Sequence, residues 1–332
     1  MQISFYQKLI LWASLLAILL VGLGAYVRLS DAGLGCPDWP GCYGTLTVPQ
    51  SEHAIADANQ AYPDRPVEHG KAWKEMAHRY VAGILGLLIL LIFVKSWRLR
   101  QYIHVSPCLP SFLMLWVVFQ AMLGMWTVTM LLMPAIVTMH LIGGMTTLGL
   151  LVWISHRHNG EFYVLSNQYA WLRRAIRFGL VLIAAQIILG GWTSTNYAGL
   201  ACTDFPLCHG AWMPAGMDFT TGFDVARELG KTASGENMAL SAYTAIQWTH
   251  RVGALLVFVY FALLAWHLKA ISGLQRDAWR ITILLVLQIS LGIANLVLHL
   301  PVVLAVAHNV GAALLLTQMV ILNSRTTRKQ RG

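Results

Sequence analysis

Charge is what this chain has least of. Of its 332 residues only 11% are Asp, Glu, Lys or Arg, while 57% are hydrophobic. An ordinary soluble domain has about a quarter of its residues charged, so this composition excludes a soluble globular protein. Acidic residues are scarcer still, 14 against 23 basic ones, for a net charge of +9. On a soluble chain such an excess would suggest nucleic acid; here the cations fall in particular loops between apolar runs, which points to a lipid bilayer and no nucleic acid. Cysteines number five, and none has the C-x-x-C spacing of zinc or thioredoxin-type motifs. No small-residue cleavage site follows the first apolar run, so it reads as a helix and not as a signal peptide. The start "MQISFYQK" lacks the arginines of an organellar transit peptide, and the expected location is a bacterial inner (cytoplasmic) membrane.

What the chain does have is long apolar runs. Stretches of about 20 residues, enough to cross a bilayer, fall at 9–29, 73–95, 109–131, 135–155, 176–196, 243–267, 279–299 and 301–323. An all-α protein with eight transmembrane helices is expected. Its loops alternate in charge. Lys95, Arg98 and Arg100 lie in one loop, Arg157, Arg173, Arg174 and Arg177 in the next on that side, then Lys269, Arg276 and Arg280, and finally Arg325, Arg328, Lys329 and Arg331 in the tail. The opposite loops, 30–72 and 197–242, are long and acidic on balance. Basic loops stay in the cytoplasm, so both termini are expected there and the long loops in the periplasm.

The two halves of the chain repeat. "GLGCPDWPGCYG" aligns with "GLACTDFPLCHG", "AHRYVAG" with "THRVGA", "QAMLGMW" with "QISLGIA" and "MHLIGG" with "AHNVGA". Cys36 maps to Cys202, Cys42 to Cys208, His78 to His250, Gln120 to Gln288 and His140 to His308, at a near-constant offset. Tandem duplication of a four-helix unit produces this pattern. Residues 1–160 and 161–332 are then two four-helix bundles. An even number of helices gives both the same orientation, with a pseudo-twofold axis along the membrane normal.

Ionisable groups at membrane depth are expensive and usually functional. His78, His140, His250 and His308 each fall about five to seven residues inside the outer end of an even-numbered helix, roughly 8–10 Å at 1.5 Å per residue. One such histidine reads as a packing residue; four at matched depth, paired by a repeat, read as ligands. Zinc or copper would recruit further close ligands, whereas each half offers two histidines. Two imidazoles facing each other across a bundle can clamp a planar iron macrocycle. Two haem sites are expected, His78 with His140 and His250 with His308. Gly143, Gly144, Gly311, Ala312, Gly83, Gly86 and Gly253 would leave room for the ring or serve ordinary helix packing. Arg79 and Arg251, each next to a histidine, could pair with haem propionates or snorkel to lipid headgroups. Arg28, whose repeat mate is Ser194, reads as a loop anchor.

The halves also differ. Glu75 stands three residues before His78, and Gln247 three before His250. Glutamine has nearly the same shape but neither exchanges a proton nor carries charge. The N-terminal half thus keeps a group able to act as general acid or base, or to stabilise positive charge on a reacting carbon; the plainer reading is a carboxylate at a helix start. The reaction chamber is expected in the first half and a resident electron carrier in the second. Two local disulfides, Cys36–Cys42 and Cys202–Cys208, are the economical reading of cysteines in an oxidising compartment, as structural bridges or, for the first pair, as a redox-active one. Cys108 is expected reduced near the inner face. His53, His69, His104, His156, His158, His209, His267 and His299 are read as solvated or structural.

Taken together, "RLSDAGLGCPDWPGC", "EMAHRYVAG", "MHLIGG", "THRVGA" and "AHNVGA" resemble the haem A synthase family over essentially the whole chain. That resemblance implies oxidation of the C8 methyl of haem O to a formyl group, giving haem A for terminal oxidases. It implies a haem b cofactor on His250 and His308, the substrate porphyrin on His78 and His140, a catalytic Glu75 and a functional Cys36–Cys42 disulfide. Haem O synthase, as donor, and a membrane electron carrier would be its partners. The rival from another class is a di-haem b-type electron-transfer cytochrome without substrate chemistry; a haem transporter would use the same pockets. The cytochrome would not explain Glu75 against Gln247 in the repeat, and the transporter would make no product.

Overall fold

The protein is described by a computed structural model covering residues 2–102, 106–159, 161–163 and 165–327. His104, Arg328, Lys329 and Arg331 lie outside the described residues. Among the described residues ten α-helices run in the order α1 (Gln2–Leu29), α2 (Glu52–Ala61), α3 (His69–Arg98), α4 (Cys108–Thr129), α5 (Pro134–Asn159), α6 (Ala170–Thr195), α7 (Phe219–Gly222), α8 (Leu240–Lys269), α9 (Gln275–Val297) and α10 (Val302–Thr327). All but the short α2 and α7 are long and apolar enough to cross a membrane, eight in all among the described residues. They are the eight expected apolar runs, lengthened by polar end turns. One extension matters: α3 starts at His69, a residue expected in the loop, so Glu75 stands beyond the first turn, where the helix dipole has faded.

These helices are apolar on both sides. Leu19, Leu87, Leu115 and Trp266 are exposed, as suits surfaces solvated by lipid. Helices α1, α3, α4 and α5 pack in a ring, and α6, α8, α9 and α10 form the matching ring. The rings meet where α1 packs on α10, α5 on α6 and α5 on α10, contacts that exchange with one another when the halves are swapped. The repeat recurs in the backbone: Asp31 and Tyr197, Tyr43 and His209, Leu131 and His299, and Leu132 and Leu300 are matched pairs with positive φ. Pro134 opens α5 and Pro301 immediately precedes α10; its preset φ suits a helix start.

Each ring is packed shut at its basic end. Tyr6, Ile10, Ile89, Ile92, Leu113, Leu148 and Leu151 fill the first, and Leu172, Ile176, Phe261, Leu264, Ile281, Leu285 and Met319 fill the second. Ile89, Ile92, Leu148, Leu151, Phe261, Leu264 and Met319 come from the parts of α3, α5, α8 and α10 that follow the four histidines, and the others from the first halves of α1, α4, α6 and α9. The other end of each ring is lined instead by small and polar residues and roofed by a long loop.

Polar contacts fix one half against the other. Arg28 Nη2 donates to the carbonyls of Ser194 at 2.9 Å and Thr195 at 3.3 Å, and its guanidinium lies 4.0 Å from the Tyr197 ring centroid. Arg28 is thus an anchor between halves. Thr138 and Thr195 share a buried hydrogen bond of 3.1 Å, and a methyl group added at Gly191 would come within 2.8 Å of Leu141 Cδ2, so glycine permits the approach of α6 to α5 there. At the basic end Asp277, fully buried, pairs with Arg325 and accepts from Gln318 Nε2 at 2.9 Å.

Removing one partner of a buried ion pair strands the other charge and costs about 3–5 kcal/mol. Arg325→Ala is therefore expected to lower the thermal unfolding midpoint in detergent clearly, while Arg276→Ala, at an exposed position one residue from Asp277, leaves it nearly unchanged. Equal midpoints for the two variants would remove Asp277–Arg325 from the stabilising contacts.

Candidate functional site

The four histidines fall in the first half of α3, α5, α8 and α10, and each ring lies edge-on against a glycine of the membrane helix before it. A methyl group added at Gly24, Gly124, Gly190 or Gly292 would come within 3.0, 3.2, 3.0 and 3.1 Å of Cε1 of His78, His140, His250 and His308 respectively. Each imidazole is only partly covered by protein. His78 lies near His140, and His250 near His308.

Three of the four rings are also met by a glutamine one turn ahead of that glycine. Gln120 Nε2 lies 3.1 Å from His140 Nδ1 and donates to the His140 carbonyl at 2.7 Å. Gln186 Nε2 lies 3.0 Å from His250 Nδ1 and donates to the His250 carbonyl at 3.0 Å. Gln288 Nε2 lies 3.3 Å from His308 Nε2, and His308 Nδ1 donates to the Gln288 main-chain carbonyl at 3.1 Å. Glycines three residues after these histidines admit the amides: a methyl group at Gly143, Gly253 or Gly311 would come within 1.8, 2.3 and 2.3 Å of the respective glutamine Oε1. These three glycines therefore make room for a glutamine before they make room for any ligand. Gly83 and Gly86 face open space instead.

A disulfide-closed loop roofs each site. Cys36–Cys42 and Cys202–Cys208 are both formed, with Cα separations of 4.9 and 5.0 Å. Asp38 accepts from the N–H groups of Tyr43 at 2.6 Å and Gly44 at 2.8 Å. Asp204 accepts likewise from His209 and Gly210, both at 2.8 Å, and the Gly210 N–H above all holds its carboxyl below the ordinary range. Cys202, Cys208 and His209 bring ligand-type atoms within 4.8 Å of one another, but the two sulfurs are bonded together and offer no thiolate.

The residues singled out beside the histidines hold these loops down. Buried Glu75 accepts from the Cys36 N–H at 3.0 Å and from Arg79 Nη2 at 2.5 Å. Arg79 Nη1 also donates to the carbonyls of Asp38 at 2.9 Å, Pro40 at 3.3 Å and Gly41. In the second half Gln247 accepts from the Cys202 N–H and donates to the Gly199 carbonyl at 2.5 Å. Arg251 reaches the carbonyls of Asp204 at 2.9 Å, Leu207 at 2.7 Å and Cys202 at 2.6 Å. Glu75 and Gln247 thus do the same structural work on the same loop nitrogen, and the charge on Glu75 is an addition to it.

Sequence reasoning overlooked two things. The glutamines were visible as Q-x-x-x-G on the helix before a histidine, occurring three times, but a sequence has no way to set Gln120 beside His140. The 197–242 loop had no assigned purpose; Arg227 pins it, donating to Asn196 Oδ1 at 2.5 Å and the Thr221 carbonyl at 3.1 Å, with Trp192 Nε1 on the Gly222 carbonyl at 2.9 Å. Cys108 is an exposed free thiol at the start of α4.

A family described as "Cytochrome oxidase assembly protein" matches residues 7–320. The chain is 44% identical to a heme A synthase of Shewanella oneidensis over 97% of its own length and 96% of that protein's. It is 24% identical to one from Halalkalibacterium halodurans, covering 89% and 88% of the two chains, and 27% identical to one from Wolbachia pipientis wMel, covering 91% and 87%. With a family match across nearly all of its residues, the chain belongs to the cytochrome oxidase assembly protein family, alongside these heme A synthases.

Proposed function

We propose that this membrane oxidoreductase of haem A synthesis oxidises the C8 methyl group of haem O to a formyl group, and that its halves divide the work. Residues 1–160 would form the substrate half, with the iron of haem O between His78 and His140. Residues 161–332 would hold a haem b cofactor between His250 and His308. The observation that carries this reading is the pair of matched two-histidine sites in a chain related over nearly its whole length to a heme A synthase.

The residues fit a haem in each half. Imidazoles on opposite sides of a four-helix ring, each partly uncovered by protein and backed by a glycine, suit a flat macrocycle held from both faces. When bound, haem b supplies one-electron transfer, which a four-electron methyl-to-formyl oxidation can use stepwise. The protein does the rest. His78 and His140 bind and orient the substrate. The packed ends of the rings keep water from reaching it from the basic side. Glu75 keeps a carboxylate next to the substrate ligand His78, tied to the disulfide loop through the Cys36 N–H and balanced by Arg79. From there it can take a proton from the reacting methyl and alcohol carbons or stabilise positive charge on them; Gln247 can do neither. Arg79 and Arg251 already serve loop carbonyls, and a propionate would share them. The Cys36–Cys42 bridge holds the nitrogen that Glu75 accepts from, a functional role that needs no redox change.

Long loops with two disulfides suit the periplasm, and basic loops suit the cytoplasm with both termini. Haem O would come from a neighbouring haem O synthase in the same membrane and electrons would leave to a membrane carrier.

Porphyrins extracted from the purified protein, co-expressed with haem O synthase, should comprise haem B with haem O, haem A or the intermediate alcohol. Haem B alone would instead identify an electron-transfer cytochrome. Glu75→Gln keeps the bond to the loop and removes the charge, so it should retain haem while formyl production falls at least about 100-fold, the usual scale of a lost general base; normal haem A yield would end the catalytic assignment. His250→Ala and His308→Ala should each lose the b-haem absorption bands while haem O still binds to the first half, and full retention of those bands would overturn the pairing.

A further inference from the structure

One histidine of the four is held differently. His140, His250 and His308 each meet a glutamine from the preceding helix, admitted by a glycine three residues after the histidine. At His78 both parts of this arrangement are missing. Leu20 stands one turn ahead of Gly24, where Gln186 stands ahead of Gly190, and Val81 stands three residues after His78, where Gly253 follows His250. The backing glycine is kept, since Gly24 still abuts the His78 ring. His78 Nδ1 is accordingly buried with no hydrogen-bond partner among the described residues. The loss is coordinated: the donor residue and the space for it are absent together, at one ring of four.

The chemistry of a ligand imidazole gives this weight. A partner on the second ring nitrogen fixes the orientation of a ligand imidazole. Gln120 and Gln186 each place an amide on the ring Nδ1 and anchor that amide by a second bond to the histidine carbonyl, and the Gln288 main-chain carbonyl accepts from His308 Nδ1, so each of these three rings has a partner that holds it. Among the described residues nothing of that kind stands beside His78: Leu20 is apolar and packs against the core of the first ring. Losing such a neighbour typically weakens metal binding about 10–100-fold.

Resting on the assignment of the four histidines as haem ligands, we propose that Leu20 and Val81 make His78 the releasable ligand of the four, and that Gln120, Gln186 and Gln288 are positioning residues that keep the other three in place. The substrate site is then held firmly from the His140 side and loosely from the His78 side. A porphyrin that must enter as substrate and leave as product can do so there, while the cofactor site, with two oriented rings, keeps its haem.

The test uses the full-length protein in detergent, titrated with ferric haem b until both sites fill, then reduced and titrated with carbon monoxide, which competes for an axial position. In the unaltered protein one haem should take up carbon monoxide at least about tenfold more tightly than the other. The double variant Leu20→Gln/Val81→Gly should weaken binding at that haem about tenfold, and Gln186→Leu should strengthen it at the other by a similar factor. Equal affinities at the two haems, or double and Gln186 variants that titrate like the unaltered protein, would overturn the proposal. Should the double variant fail to hold haem, Gln186→Leu decides alone, because its predicted change has the opposite sign. Haem content of His78→Ala and His250→Ala, measured alongside, separates this proposal from its premise: if neither loses haem, the ligand assignment itself fails.

Discussion

A polar ring among membrane helices is costly unless neighbouring protein satisfies it, because lipid offers no hydrogen bonds. The four imidazoles in this fold share one local arrangement, in which a glycine of the preceding membrane helix lets the ring edge approach its backbone. Where a glutamine one turn away also reaches the ring, a second glycine on the histidine's own helix makes the space. The helix order follows from this pairing: α1 must lie against α3, α4 against α5, α6 against α8 and α9 against α10. Those four contacts, with the apolar packing at the basic end, build both rings.

The loops above the rings depend on the same helices. Glu75 and Gln247 stand one turn before a histidine and accept from the first cysteine N–H of the loop, and Arg79 and Arg251 take up loop carbonyls one residue after the histidine. Each roof is therefore in register with the ring beneath it. Against this shared frame the departures stand out, and they fall in the N-terminal half: a carboxylate for an amide at Glu75, and an apolar pair for a glutamine and glycine at Leu20 and Val81. A chain with two matched halves can keep one form of a site in one half and alter it in the other. Here the altered copy is both more charged at its roof and less constrained at one ligand, features that suit a molecule in transit rather than a resident one.

Much of this was legible in the sequence because membrane helices announce themselves by composition and because the chain carries its own alignment. The eight spans, the local disulfides, the four histidines and the Glu75–Gln247 difference all follow from patterns that survive in one dimension: hydropathy over about 20 residues, short cysteine spacing, and identity between halves. Helix ends were less legible, since polar turns such as His69–Lys71 extend α3 without apolar signal. That extension removes the plainer reading of Glu75 as a helix-end charge, and its bond from the Cys36 N–H makes it a loop anchor as well. The arginines were read through their charge, toward lipid or propionates, when their geometry makes them donors to loop carbonyls.

What the sequence determined by itself was the count of membrane-length helices and the identity of the residues shared between its two halves, because these rest on local composition and internal comparison. Only the tertiary structure decided which glutamine meets which histidine, that Gly143, Gly253 and Gly311 make space for those amides, and that His78 Nδ1 is left without a partner. The physical reason is that each such contact joins two helices, and its distance depends on how closely their backbones approach, a quantity that no pattern within one helix records.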